Sequence, residues 1–385
     1  MEVSVKLFDF DRTEIERRRQ LVRDLWAGLP VDHIPIHLVV TDPEPLYTIR
    51  EQFQDGDKQL AAALRVAGLS WQCVSGGDYI PAMRPDLGCS VLATAFGSEL
   101  YWGDDPNQTC GVKQALIEDV ARIADLPAPS PFAGQLAEGA ERVRRFAEAG
   151  DGLVSVSLLD MAGGLNVASD LLGAERLYVA MREHPGLLEC LLGKIQQLFL
   201  AAIAAQIAAA GGEANIATTD FPDYWFPESL KGHVSDDISA NISPALYRRF
   251  SRPFHDMVFA RYGGGGLHNC GPNPCLAQYL EHKPAPRSLD LSYRYSRRDL
   301  PKIKRICRKR AIVYLNDLPQ TPGELIETYR RLMEDMAPDV MVIPVATVTT
   351  ADTPAEVYAR LLEISREYAR RMDWGWVGGD PAANS

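Results

Sequence analysis

Short apolar runs alternate with helical patterns along most of this chain. Runs rich in β-branched and apolar residues fall at 33–40, 71–75, 153–159, 214–219, 266–270, 287–291, 311–315 and 340–346. Most are 5–8 residues long, the length of buried parallel strands. Helical patterns separate them: 13–29, with Leu21, Leu25 and Trp26 at helical spacing, then 134–149, 322–336 and 353–372. Ser243-Pro244 reads as a helix start and Gly263 as its stop. Eight β-α alternations predict an α/β chain folded as a (β/α)8 TIM barrel with long loops at its C-terminal mouth. A doubly wound open sheet is the alternative, but no strand leads into a Gly-x-Gly-x-x-Gly turn. The expected domain is a single barrel over residues 1–375, followed by a flexible C-terminal tail at 376–385.

Composition narrows the function classes. Apolar residues make up 46% and charged residues 24%, which excludes a disordered chain or a coiled coil. The net charge is −11, from 51 acids and 40 bases. Such a chain repels phosphate backbones, so no nucleic-acid partner is expected. Seven cysteines are too few and too odd in number for a disulfide framework, so a reduced, cytoplasmic setting is expected. The first dozen residues lack the apolar core of a signal peptide. The apolar stretch 187–210 carries Glu189, Lys194, Gln196, Gln197 and Gln206. It reads as a buried helix, with Cys190 in the core, and no membrane span is expected. The basic run Lys302, Lys304, Arg305, Arg308, Lys309 and Arg310 reads as a solvated helix face.

Two connections, 76–133 and 221–241, are too long for plain turns and read as functional loops at the barrel mouth. Catalytic groups of a parallel barrel lie past the strand ends. Those positions hold His37, Asp42, Asp78, Asp160, Asp220, His268, Cys270, Asp290, Tyr293, Asn316, Asp317 and Thr347. An aspartate after a strand is also a common helix cap, and Asp160, Asp290 and Asp317 fit either role. The sharpest cluster runs from Gly263 to Cys275. His268 and Cys270 share one face of a strand because side chains alternate with period two. An imidazole and a thiol on one face make half a zinc site, and Cys275 stands one helical turn further on. A buried cysteine beside a hydrogen-bonded histidine fits the same residues. Asp236-Asp237 is the second cluster, with one carboxylate facing a pocket as base or acceptor, or both serving as a capping loop before Ser243.

Several segments together carry a family likeness. They are Leu87-Gly88 to Glu99, Asp160-Met-Ala-Gly-Gly with Asn166-Val-Ala-Ser, Ser235-Asp-Asp-Ile, Ile242-Ser-Pro-Ala-Leu-Tyr-Arg-Arg-Phe with Pro253-Phe, His268-Asn-Cys270-Gly271, and Thr353-Pro354. In this order they resemble the uroporphyrinogen decarboxylase superfamily, which includes zinc-dependent corrinoid (cobalamin) methyltransferases. The resemblance implies a (β/α)8 barrel enzyme. Its decarboxylases hold a polycarboxylate with an arginine-rich segment after the first strand, but residues 41–50 carry one arginine and two acids. Its methyltransferases bind zinc through a His-x-Cys pair and a later cysteine. His268 and Cys270 match, while Thr347 stands where that cysteine is expected, leaving Cys275, Asp237 or another carboxylate to complete the set.

The leading expectation is therefore methyl transfer between a small methylated substrate and a corrinoid protein or thiol acceptor. Zinc would sit on His268, Cys270 and Cys275. Asp237 and Asp160 would be catalytic, and His37, Asp78, Asp236 and Tyr293 would bind substrate. A metal-independent lyase (decarboxylase) is the alternative, and a binding protein that has lost catalysis is the third. The expected partners are a small-molecule substrate and a corrinoid protein, with the chain a monomer or homodimer.

Overall fold

The computed structural model describes residues 8–375, so the expected tail at 376–385 lies outside the described residues. The strands, in chain order, are β1 (His37–Thr41), β2 (Ala82–Met83), β3 (Leu100–Tyr101), β4 (Gly111–Val112), β5 (Ser155–Val156), β6 (His233–Ser235), β7 (Gly266–Asn269), β8 (Ser288–Ser292), β9 (Ile312–Asn316) and β10 (Val342–Thr349). Six form one parallel sheet in the order β1-β10-β9-β8-β7-β6. β2 and β5 pair in parallel, and Val156 bridges onward to Ile216. Eight strands thus lie in parallel pairings, which helical crossovers make geometrically possible. β3 and β4 form a small antiparallel pair outside them.

The helices follow the predicted punctuation. Arg12–Trp26 buries Ile15, Arg18, Val22, Leu25 and Trp26, one stripe of a 3.6-residue period. Its cap is Asp11, whose side chain accepts from the Glu14 amide at 2.7 Å. Pro322–Met336 and Pro354–Arg371 have proline in their first turns and follow β9 and β10. The helix opened by Ser243-Pro244 contains a π turn over Tyr247–Ser251 before Arg252–Tyr262. Pro253 explains it: a proline inside a helix offers no N–H and crowds the carbonyl four residues back, and a wider turn absorbs both effects.

Pro185–Ala209 is long and apolar enough to cross a membrane by composition alone. Here Leu188, Leu191, Leu192, Ile195, Leu198 and Phe199 are buried along one stripe. Each such side chain contributes roughly 1.5–3 kcal/mol of burial. Cys190 is exposed rather than core, because it falls between the buried positions of that stripe.

Two expected strands are corrected. Residues 71–75 finish the helix Gly56–Gln72 and its turn. Trp71 is buried with Leu64, Ala67 and Gly68 at helical spacing, and Gly76, at φ +71°, reverses the chain. The strand follows at β2. Residues 214–219 hold a short 3-10 turn, Glu213–Asn215, and a single bridge at Ile216. The extended role passes to β6, inside the supposed loop 221–241. Its three residues are too few for periodicity to show. The long segment 76–133 likewise contains β2, the helix Val91–Ala95, the β3–β4 pair and a 3-10 turn at Val120–Ile123.

Candidate metal centre

Register places the site. Along β6 to β9, polar residues sit at every second position of otherwise apolar strands. His233 pairs with Gly266 and Ser235 with His268. His268 pairs in turn with Asp290, and Asp290 with Tyr314. Ser292 pairs with Asn316. Period two puts these on one face of the sheet, in rows crossing four strands. Gly266 makes room in the lower row, since a Cβ there would stand 2.7 Å from the His233 ring and 2.9 Å from Ser288 Oγ.

His268 is the centre of the upper row. Its Nδ1 lies 3.0 Å from Asp290 Oδ2, and Asn316 Nδ2 donates to Asp290 Oδ1 at 2.8 Å. Burial works against a charge on the ring, but the Asp290 carboxylate outweighs it and holds His268 well above its ordinary value. Asp290 thus accepts the hydrogen bond of the Nδ1 proton, and Nε2, whose proton a bound metal would displace, faces the site. Cys270 Sγ is 3.4 Å from Nε2 and Asp237 Oδ1 is 3.8 Å from it. The three ligand atoms all lie within 4.8 Å of one another.

Asp237 is aimed by its backbone surroundings. It opens the 3-10 turn Asp237–Asn241 after β6. Its Oδ1 accepts from the Cys270 amide at 2.9 Å. Asn166 Nδ2 lies 3.5 Å from Asp237 Oδ2, and Asn166 Oδ1 accepts from the Ile238 amide at 3.1 Å. The neighbouring acid faces the other way. Asp236 is fully buried with its carboxylate 3.6 Å from His255 Nε2, and burial pushes it up to about 7.

The donor set fits zinc. With Zn–S near 2.3 Å and Zn–N or Zn–O near 2.0–2.2 Å, tetrahedral ligands stand about 3.3–3.7 Å apart. The spacings of 3.4 and 3.8 Å around Nε2 are close to that. Three protein ligands with a fourth position open is the catalytic pattern, and the Asp290–His268 pair is the usual outer support of a zinc-binding imidazole.

A second wall faces this group. The Phe221 ring meets the His268 ring edge-on at 5.1 Å, and the Arg84 guanidinium lies 5.6 Å from the Phe221 ring. Arg84 Nε donates to Asp223 at 2.8 Å, and Nη2 reaches Asp86 at 3.4 Å. Asp160 follows β5 and accepts from the Ala162 amide at 3.1 Å. Burial raises its carboxyl, with Arg84 opposing. Asp220 is fully buried, and burial together with Asp160 pushes it up strongly. Its Oδ1 accepts from the Met161 amide at 2.9 Å, and its Oδ2 has no protein partner. Beyond Arg84 opens a cavity of about 490 Å³ between β1 and β2, lined by residues including His37, Tyr79, Asp42, Glu44, Asp86 and Asp223.

No protein-family model matches the chain, and no curated protein matches it. The chain shares its fold with a methyltransferase from Methanosarcina mazei. The TM-score is 0.64 at 17% identity, over 95% of this chain and 99% of that one. At that identity the likeness is one of architecture.

The structure gathers Asp237, His268 and Cys270 and leaves other expected residues apart. Cys275 caps the short helix Leu276–Tyr279 and is fully buried. Its thiol donates to the Ile242 carbonyl at 3.4 Å, so it is turned away from the group. Asp78 precedes β2 rather than following a strand. It accepts from His33 at 2.9 Å and from the Ile36 amide at 3.1 Å, which occupies both oxygens at the start of β1. Thr347 is exposed and lies in register with Val39. His37 lines the large cavity against Tyr79 and Tyr224, and burial lowers it to about 4. Tyr293 stands half-buried directly after β8. Arg84 and Phe221 carry no sequence signal as site residues, because only the fold brings their loops together.

Proposed function

We propose that this chain is a zinc-assisted methyltransferase of the uroporphyrinogen decarboxylase superfamily. It would move a methyl group between a small methylated substrate and a corrinoid (cobalamin) protein or a thiol. The observation that carries the reading is the Asp237–His268–Cys270 group with Asp290 behind its imidazole. Zinc held there would supply Lewis acidity, lowering the pKa of a bound thiol or polarising a methyl-bearing oxygen.

The chain's own residues do the rest. Asp290 holds the proton on His268 Nδ1, so that zinc displacing the Nε2 proton would meet the Nε2 lone pair. The Phe221 ring packs edge-on against the imidazole. Asp160 and Asp220 form an acid pair in which burial raises both carboxyls, and Asp220 Oδ2 has no protein partner. The cavity beyond Arg84 seats the body of a small substrate.

We read the eight parallel strands as one (β/α)8 barrel over residues 1–375. The first strand, β1, pairs with the last, β10. On the other side, β5 passes through Ile216 and the Thr219–Lys231 backbone hydrogen bond toward β6. The seven free thiols fit a reduced cytoplasmic setting.

A porphyrinogen lyase is disfavoured by charge. Asp42, Glu44, Asp86 and Asp223 line the cavity against two arginines, and Arg65 is already bound to Asp42 at 2.8 Å. Such a wall repels a substrate bearing many carboxylates. Metal analysis of zinc-replete protein, together with demethylation of methylcobalamin in the presence of a thiol, tests the proposal. One zinc per chain, lost in His268→Ala and Cys270→Ala together with activity, supports it. A metal-free, inactive parent protein overturns it.

A further inference from the structure

The segment after β8 concentrates positive charge in an acidic chain. Residues 294–310 carry nine basic side chains and one acid. Five of the nine are used inside the fold. Lys302 donates to the Asn273 carbonyl at 2.7 Å, and Lys304 to those of Asp335 and Ala337. Arg308 pairs with Asp339, Lys309 with Asp373, and Arg310 donates to Leu280. Arg294, Arg297, Arg298 and Arg305 are exposed and have no acidic partner among the described residues. Tyr295 stands among them, 50% exposed, with the Arg294 guanidinium 5.6 Å from its ring.

The position of this face matters as much as its charge. β7 and β8 are parallel neighbours, so Cys270 and the helix Tyr293–Ser296 leave the sheet at the same rim. The two segments touch. Gly271, at φ +87°, packs so closely that a Cβ would stand 2.4 Å from Ser296 Oγ, and Lys302 clamps Asn273 in the same loop. The arginines therefore flank the loop that carries Cys270. Unpaired surface arginines around an exposed tyrosine are the composition of a binding face, and rim charges set the rate of encounter.

We infer that Arg294, Arg297, Arg298 and Tyr295 dock an acidic protein that presents its reacting group to Asp237, His268 and Cys270. This rests on the methyl-transfer reading only for what the partner carries. A protein is favoured over nucleic acid because the unpaired arginines form one compact face around Tyr295, whereas a nucleic-acid backbone is tracked by an extended basic groove.

The test offers two methyl donors to the zinc-loaded full chain with a thiol acceptor. One is free methylcobalamin, and the other is a recombinant acidic corrinoid-binding domain loaded with it. The triple reversal Arg294→Glu, Arg297→Glu, Arg298→Glu is expected to leave turnover of free methylcobalamin unchanged. For the protein-borne donor its KM is expected to rise about tenfold or more at unchanged kcat. Salt should raise the parent chain's KM for the protein-borne donor and barely move the variant's. An unchanged KM in the variant overturns the inference. So does salt-sensitive self-association of the chain that the reversal abolishes, or tight salt-sensitive binding of an RNA oligomer through the same arginines. If neither donor is demethylated, the methyl-transfer reading fails by itself. Calorimetric titration of the same domain into the chain then decides docking: salt-sensitive binding lost in the variant supports it, and no binding overturns it.

Discussion

His268 and Asp290 are register partners on adjacent parallel strands, and Asp290 Oδ2 stands 3.0 Å from His268 Nδ1. The pair fixes which nitrogen faces Cys270 and Asp237. Asp290→Asn should preserve the shape and weaken the hold on the tautomer. Zinc affinity is expected to fall roughly 10–100-fold, as for other outer partners of zinc-bound histidines. Competition with a chromophoric chelator measures it. Unchanged affinity would remove Asp290 from the centre.

The two cysteines near the site should separate cleanly. Cys270→Ser removes the thiol 3.4 Å from His268 Nε2 and is expected to abolish stoichiometric zinc. Cys275→Ala should keep zinc and cost on the order of 1 kcal/mol of stability, since its thiol serves the Ile242 carbonyl. Metal content and melting temperature of both variants decide between them. Zinc lost in Cys275→Ala would return that thiol to the ligand set.

Lys231 gives a pH signature outside the site. It is buried, its Nζ lies 4.8 Å from the Trp225 ring, and burial lowers it to about 7. Between about pH 7 and its ordinary value of 10.5 the unfolded chain holds a proton that the folded chain has released. The unfolded state binding more protons means that stability rises with pH across that window. Below pH 7 the full penalty is present, and above 10.5 it is gone. Lys231→Met should flatten this rise, by up to about 1.4 kcal/mol per pH unit. Denaturant titrations between pH 6.5 and 9 check the difference in slope. Parallel slopes in parent and variant would mean that Lys231 stays charged in the fold.

Gly266 tests the row below the centre. Gly266→Ala places a Cβ against the His233 ring and Ser288 Oγ. Overpacking of this kind costs about 1–3 kcal/mol. Melting temperature should fall while zinc stays stoichiometric, because the ligands lie one row higher. An unchanged melting temperature would show that His233 can move aside.

Much of the architecture was legible because buried strands and capped helices leave periodic marks. Pro322–Met336 and Pro354–Arg371 show their boundaries through proline and the spacing of apolar residues. The failures were short elements. β2 and β6 have two and three residues, below any period, and residues 71–75 carry a strand-like composition on the end of a helix.

By itself the sequence determined that His268 and Cys270 share one face, because alternation along a strand is a local property. It also determined that Asp236 and Asp237 diverge, since adjacent side chains on extended backbone point apart. Which of the two acids faces His268 and Cys270 was decided only by the fold. The turn after β6 hangs Asp237 on the Cys270 amide and leaves Asp236 beside His255. Cys275 is held apart from them the same way, by the carbonyl of Ile242, far off in the chain. Ligand sets close through contacts between distant segments, and spacing along one segment carries no record of them.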